Sequence, residues 1–226
     1  MATKSFETQT VPAKQTIVED KLKPTAEMQI LVGGPYRSGG EEHRYGHTAL
    51  RLKAQARDMT YDFGRYGDTR GTFDETGDGI LRVWTDFAAY IKSENALGRM
   101  TTGFVYSIFD HQVAAVTSYF DGLIAAGKAI PSKDRAGMKV YRLATDYHAL
   151  ATNCTTLSID GARQAIPSID AGSEKYNRPE DVLSLKERLG LAASGGSSRL
   201  FLPANLQSFL GSGSSTKAIR IDRYGG

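Results

Sequence analysis

The chain carries one cysteine, Cys154, in the segment Ala151-Thr152-Asn153-Cys154-Thr155-Thr156. Thr152 or Asn153 can cap a helix there that runs to about Ile166. The first turn of a helix presents N–H groups without partners and the positive end of the helix dipole, and both stabilise a thiolate. A thiolate in that place, with an imidazole in reach, is a nucleophile for acyl transfer. The competing expectation is that Cys154 fills a gap in the core, the common fate of a free cysteine.

Such a nucleophile needs a base, and the chain has four histidines. His47 follows Gly46 and opens an alternating segment, His47–Leu52, with Thr48, Leu50 and Leu52 on one side and His47, Ala49 and Arg51 on the other. A ring on a strand holds its position, as a general base must. His148, in the connection just before Cys154, is the alternative base. His43, in a Gly- and charge-rich loop, and His111, on the first turn of a helix, are expected to be solvated. A third group must orient the base. Asp62 lies in Tyr61-Asp62-Phe63-Gly64, on the strand after that of His47. If the two strands form an antiparallel hairpin, Asp62 is a cross-strand neighbour and is expected to accept the Nδ1–H of His47. The plainer alternative is a solvent-facing carboxylate. Asp58 and Glu42 are weaker candidates for the same role.

The elements that position these residues follow from patterning. Residues 28–32, 47–52, 59–63, 79–84, 102–109, 138–143 and 218–222 have the apolar or alternating character of strands. Thr85 or Asp86 caps a short helix carrying Phe87, Tyr90 and Ile91. Asp110 opens a longer one, with Val113, Val116, Phe120, Leu123 and Ile124 at helical spacing and Gly127 as its stop. Pro179 is expected to start a helix with Val182, Leu185 and Leu189 facing inward and Gly190 ending it, and residues 203–210 form another. Residues 194–198 and 211–215 are Gly/Ser spacers. The sum is an α+β fold with a mostly antiparallel sheet.

Composition narrows the function classes. A chain of 226 residues and 24.6 kDa can bury about 70 % of its unfolded surface and needs no metal or disulfide to hold a core. One cysteine excludes an intramolecular disulfide and a Cys-rich zinc site. A net charge of +3, spread evenly, is no nucleic-acid footprint. No apolar run reaches the length of about 18 residues that a membrane-spanning helix needs, and the polar N-terminus has no apolar core of a signal peptide.

Gly46-His47-Thr48-Ala49-Leu50-Arg51-Leu52, Tyr61-Asp62-Phe63-Gly64-Arg65-Tyr66 and Asn153-Cys154-Thr155-Thr156 together resemble the motifs of circularly permuted NlpC-type papain-like cysteine peptidases. The histidine strand precedes the cysteine helix, which is the permuted order. The likeness spans about residues 28–166. It implies a permuted papain-like fold, with a mostly antiparallel sheet packed against helices. A catalytic domain over 28–226, ending in a Gly/Ser-rich segment, would follow a flexible arm over 1–27. It further implies Cys154 as nucleophile, His47 as base and Asp62 as the orienting group, with an upstream aromatic, Tyr36 or Tyr147, at the oxyanion site. No metal or cofactor is expected. The implied substrate is a peptidoglycan stem-peptide amide. Members of this kind without an export signal are often antibacterial effectors, made in the cytoplasm and delivered by a type VI secretion system into the target-cell periplasm. That implies an immunity protein and a secretion-system carrier as partners, with no nucleic acid and no membrane insertion. The same fold class also hosts acyltransferases and peptidases acting on host lipids or proteins. A non-catalytic binding module with a buried Cys154 is the third expectation.

Overall fold

The computed structural model describes residues 23–38, 41–43, 45–70, 76–193, 199, 201–213 and 216–225. The expected arm up to residue 22, the spacer 194–198 and residues 214–215 of the second spacer lie outside the described residues. The first strand begins at Ala26, two residues before the expected start at residue 28.

The strands are β1 (Ala26–Gly33), β2 (Tyr36–Ser38), β3 (Glu41–His43), β4 (His47–Ala54), β5 (Arg57–Arg70), β6 (Thr76–Trp84), β7 (Thr101–Ile108), β8 (Lys128–Ala129), β9 (Met138–Arg142), β10 (Tyr147–His148) and β11 (Arg220–Tyr224). The helices are α1 (Phe87–Asn95), α2 (Asp110–Ala125), α3 (Cys154–Ala165), α4 (Leu185–Ala193) and α5 (Pro203–Gly211). Among the described residues one sheet runs in the order β11-β7-β1-β4-β5-β6-β9-β8, with β10 paired to β6, and β2 and β3 form a small separate hairpin. The pairings are antiparallel. The protein is therefore α+β with a mostly antiparallel sheet, as its patterning requires.

β1 sits between β4 and β7 and is buried on both faces. Met28, Ile30 and Val32 point to one side, with Leu50, Leu52, Tyr61 and Phe63 from the neighbouring strands. There they meet Val113, Val116 and Phe120 of α2, Leu157, Ile159 and Ala162 of α3, and Leu206 and Phe209 of α5. The rings of Tyr61 and Phe120 stack at 3.9 Å. Losing a core aromatic of this kind costs about 3–5 kcal/mol. On the other side Leu31, Ala49, Ile80 and Trp84 form a smaller cluster with Tyr90 of α1. The alternation expected of 47–52 is thus realised: Leu50 and Leu52 face α2 and α3, Ala49 lies in the α1 cluster, and the Arg51 guanidinium lies 3.4 Å over the Phe87 ring of α1.

Gly161 sets how closely α3 lies on this layer. A Cβ there would stand 2.7 Å from the Phe120 ring and 3.1 Å from Leu50. The start of α3 lies at the start of β4, where Thr155 Oγ1 is 3.1 Å from Thr48 Oγ1.

The expected helix from Pro179 is not formed. Pro179–Asp181 make a single 3-10 turn, and α4 starts at Leu185 and runs through Gly190. Leu185 and Leu189 are exposed rather than inward, at 64 % and 63 %. The reason is local. Glu187 accepts from the Ser184 N–H at 2.8 Å, and the Ser184 hydroxyl accepts from the Glu187 N–H at 3.4 Å. This reciprocal cap, with the spacing S-x-x-E, fixes the helix start at Ser184. β5 also runs further than expected, through Gly64 and Gly67, with a register shift between Arg65 and Thr69. The last strand is two residues later than 218–222.

Candidate active site

Asn153 is the residue that shapes the start of α3. Its Oδ1 accepts from the Thr156 N–H at 3.0 Å, and Thr156 Oγ1 accepts from the Asn153 N–H at 3.0 Å. Asn153 Nδ2 also donates to Ala149 O at 2.6 Å and Phe201 O at 3.0 Å. The cap is thereby tied to the preceding loop and to the segment leading into α5. Cys154 occupies the first helical position, where its own N–H has no partner inside the helix.

His47 is the first residue of β4, and Cys154 is the first of α3. His47 belongs to the α1 face of the sheet and α3 packs on the opposite face. They meet because both stand at the ends of their elements. The thiol lies against the imidazole, with the Thr48 backbone and the Thr155 hydroxyl also on the sulfur. Thr155 Oγ1 in turn lies 3.1 Å from Thr48 Oγ1, which joins the helix start to the strand.

Asp62 lies on β5 and is wholly buried. Leu50 pairs with Tyr61, so Ala49 falls opposite Asp62 and His47 one same-face position further along. The ring must therefore reach diagonally. Its far nitrogen, Nε2, makes the bond to Asp62 Oδ1, at 2.6 Å. This corrects the expectation that Nδ1 would do so. Nδ1 is left for the thiol.

The carboxylate has further partners. Tyr66 donates to Asp62 Oδ1 at 2.8 Å, and Arg82 Nε donates to Oδ2 at 2.8 Å. Arg82 is the cross-strand partner of Asp62 on β6. Burial alone would raise the Asp62 pKa, but Arg82 and then His47 outweigh it and hold the carboxyl far below the usual carboxylate range. Burial likewise disfavours the charged His47 ring, yet Asp62 and the Cys154 sulfur raise its pKa to about 10. For Cys154, burial pushes the thiol up, and the neighbouring His47 ring pulls it down further than burial raises it. The two shifts agree in sense, each group favouring the charged form of the other.

Tyr147 on β10 faces the same sulfur. Its ring packs on Phe63 at 5.6 Å. Burial, and then the sulfur's charge, raise its hydroxyl pKa, so it stays a neutral donor. The Arg99 guanidinium lies 4.5 Å from the centre of the Tyr36 ring.

Of the alternatives, His148, His111 and Asp58 make other contacts. His148 Nδ1 accepts from the Leu150 N–H at 3.2 Å, a turn contact. His111 is exposed and stacks on Phe109 at 5.7 Å. His43 and Glu42 belong to β3, and His43 pairs with Tyr36. Asp58 binds Arg51 with both oxygens, at 2.7 and 2.6 Å. Two members of the constellation escaped sequence reasoning. Tyr66 lies in the Tyr61–Tyr66 motif, where spacing assigns it no role, and Arg82 in sequence is one more strand residue. The available signal was a lone arginine in the apolar run Gly79–Trp84. Among the described residues, no group of three or more His, Cys, Asp or Glu is placed to hold a metal ion.

No family model, curated protein or solved structure matches the chain.

The pair makes a direct prediction. Iodoacetamide alkylation of Cys154 in the folded protein should fall less steeply between pH 8 and pH 6 than that of an ordinary thiol, because the His47 ring lowers its pKa. An ordinary thiol would slow on the order of 100-fold over that interval. Intact-mass kinetics decide between the two. A rate that falls like a free thiol's would remove the thiolate.

Proposed function

We propose that this protein is a cysteine hydrolase of the permuted papain-like type that cleaves an amide bond through a thioester. The observation that carries this reading is His47 held between the Asp62 carboxylate, at 2.6 Å, and a thiol at a helix start. The Cys154 thiolate attacks the carbonyl carbon. The developing oxyanion is met by the Cys154 backbone N–H and the Tyr147 hydroxyl, and negative charge there is what such donors stabilise most. The C–N bond then breaks, and the imidazolium of His47 gives its proton to the leaving amine. The neutral ring next takes a proton from water as the oxygen attacks the thioester. Cys154 leaves as thiolate and the acid is released. Asp62 remains ionised throughout and orients the ring.

The substrate we propose is a peptidoglycan stem peptide, on the strength of the resemblance carried by the His47, Asp62 and Cys154 segments. The acidic character of such peptides suits Arg65, which follows Phe63 on the same face of β5 and places an exposed positive charge beside Tyr147. Arg65→Ala should raise KM for a carboxylate-bearing peptide several-fold and leave kcat nearly unchanged, because a rim charge acts mainly on encounter and binding. Equal KM values for the variant and the wild type would remove Arg65 from substrate recognition.

An antibacterial effector role, with an immunity protein and a type VI carrier, belongs to the same proposal. It is tested by the compartment in which the protein does harm. Fused to an export signal in a Gram-negative host, it should cause rounding or lysis that Cys154→Ala abolishes. Retained in the cytosol it should be tolerated, since it meets no intact wall there. Equal harm without export would point to a protein or lipid target. No helix among the described residues is long and apolar enough to cross a membrane.

A further inference from the structure

We propose that Arg82 and Tyr66 are positioning residues that fix the Asp62 carboxylate and, through it, the His47 ring in the orientation that meets the Cys154 thiol. The proposal rests on the reading of Cys154 and His47 as the reactive pair.

The carboxylate offers two oxygens, and both are used from two sides. Oδ1 receives His47 Nε2 at 2.6 Å and the Tyr66 hydroxyl at 2.8 Å. Oδ2 receives Arg82 Nε at 2.8 Å, with Arg82 Nη2 at ion-pair distance, 2.5 Å. A carboxylate held only by His47 could turn about its own bonds and carry the ring with it. Here rotation would break two further charge-assisted bonds. Tyr66 couples the two clamps. Its ring lies under the guanidinium at 3.7 Å, and its hydroxyl oxygen also accepts from Arg82 Nη2. Tyr66 lies at the register shift between Arg65 and Thr69. The Tyr66 ring also lies against Gly64, where a Cβ would stand 2.7 Å away.

Charge makes the arrangement necessary as well as rigid. Asp62 is wholly buried, and a buried carboxylate without a full counter-charge takes up a proton. A neutral Asp62 would no longer hold His47 as imidazolium, and the thiolate would lose its partner. The other groups facing this cluster come from α1 and β6. Glu94 and Tyr90 of α1 face Arg82 and Asp62, but Glu94 is bound to Arg99 at 2.5 Å. Trp84 lies 5.8 Å from the guanidinium. Asp62 is thus the bonded counter-ion of Arg82.

A merely structural ion cluster predicts lower stability with an unaltered thiol. Positioning predicts an altered thiol in a folded protein. The test follows iodoacetamide alkylation of Cys154 against pH in wild type, Tyr66→Phe, Arg82→Lys and Arg82→Met, with thermal melting beside it. Arg82→Met should move the thiolate midpoint up by about one pH unit, about tenfold less thiolate on the acid side. Arg82→Lys keeps the charge without the fork and should recover part of that loss. Tyr66→Phe keeps the ring under Arg82 and removes one bond, and should show a smaller shift in the same direction. If Arg82→Met does not fold, the other two variants decide. Folded variants with the wild-type profile overturn the proposal, whatever their melting temperatures. A wild-type thiol that reacts only as a free thiol overturns the reactive-pair reading, and the proposal with it.

Discussion

Cys154→Ala should lower amide hydrolysis by at least about 10⁴-fold, the scale of losing a nucleophile for which nothing else substitutes. The fold should survive. Cys154 is 6 % exposed, and deleting its sulfur to leave a methyl group removes one heavy atom from a site whose cap is made by Asn153 and Thr156. The cost should be about 1 kcal/mol, a shift of a few degrees in melting for a chain of this size. Rate and melting temperature measured on one preparation separate the two effects. Retained hydrolysis in the folded variant would remove Cys154 from the chemistry.

The second large effect is expected at His47 and Asp62, and the two should differ in kind. His47→Ala deletes the proton carrier and should approach the loss seen at Cys154. Asp62→Asn keeps the shape and removes the charge. It should cost about 10²–10⁴-fold in rate, because a neutral amide neither fixes the ring nor supports imidazolium. It should also destabilise, since Arg82 then has no carboxylate at 2.8 Å, and breaking a buried pair from one side costs about 3–5 kcal/mol. The pH dependence carries a sign. The pair needs Cys154 deprotonated and His47 protonated. With the thiol lowered and the ring raised to about 10, kcat/KM for wild type should extend to lower and higher pH than an isolated thiol and imidazole allow. In Asp62→Asn both limbs should close inward. An unchanged profile in that variant would show that Asp62 does not govern the ring.

Why some of this was legible in sequence is a matter of range. The start of α3 was legible because its signal is local: Asn153 and Thr156 cap each other within four residues. The His47 and Asp62 strands were legible because alternation has a period of two and fixes which side chains share a face. The nitrogen that binds Asp62 was not, because it depends on the register between β4 and β5, and a diagonal offset reverses the choice. Arg82 was hidden for the same reason. Only the pairing of Asp62 with Arg82 across β5 and β6 turns a lone strand arginine into a counter-ion. The missed start of α4 differs in kind. Its Ser184–Glu187 signal was local and visible, but Pro179 offered a competing start. The proline began only a 3-10 turn.

Digestion of purified peptidoglycan, with the fragments identified by mass spectrometry, tests the central claim most directly. Wild-type protein should release stem-peptide fragments whose summed masses exceed the parent by one water per cut, each cut giving one new amine and one new carboxyl end. Cys154→Ala, prepared in the same way, should release none. The same fragments from Cys154→Ala, or an intact wall after treatment with a wild-type protein whose Cys154 alkylates as a thiolate, would contradict it.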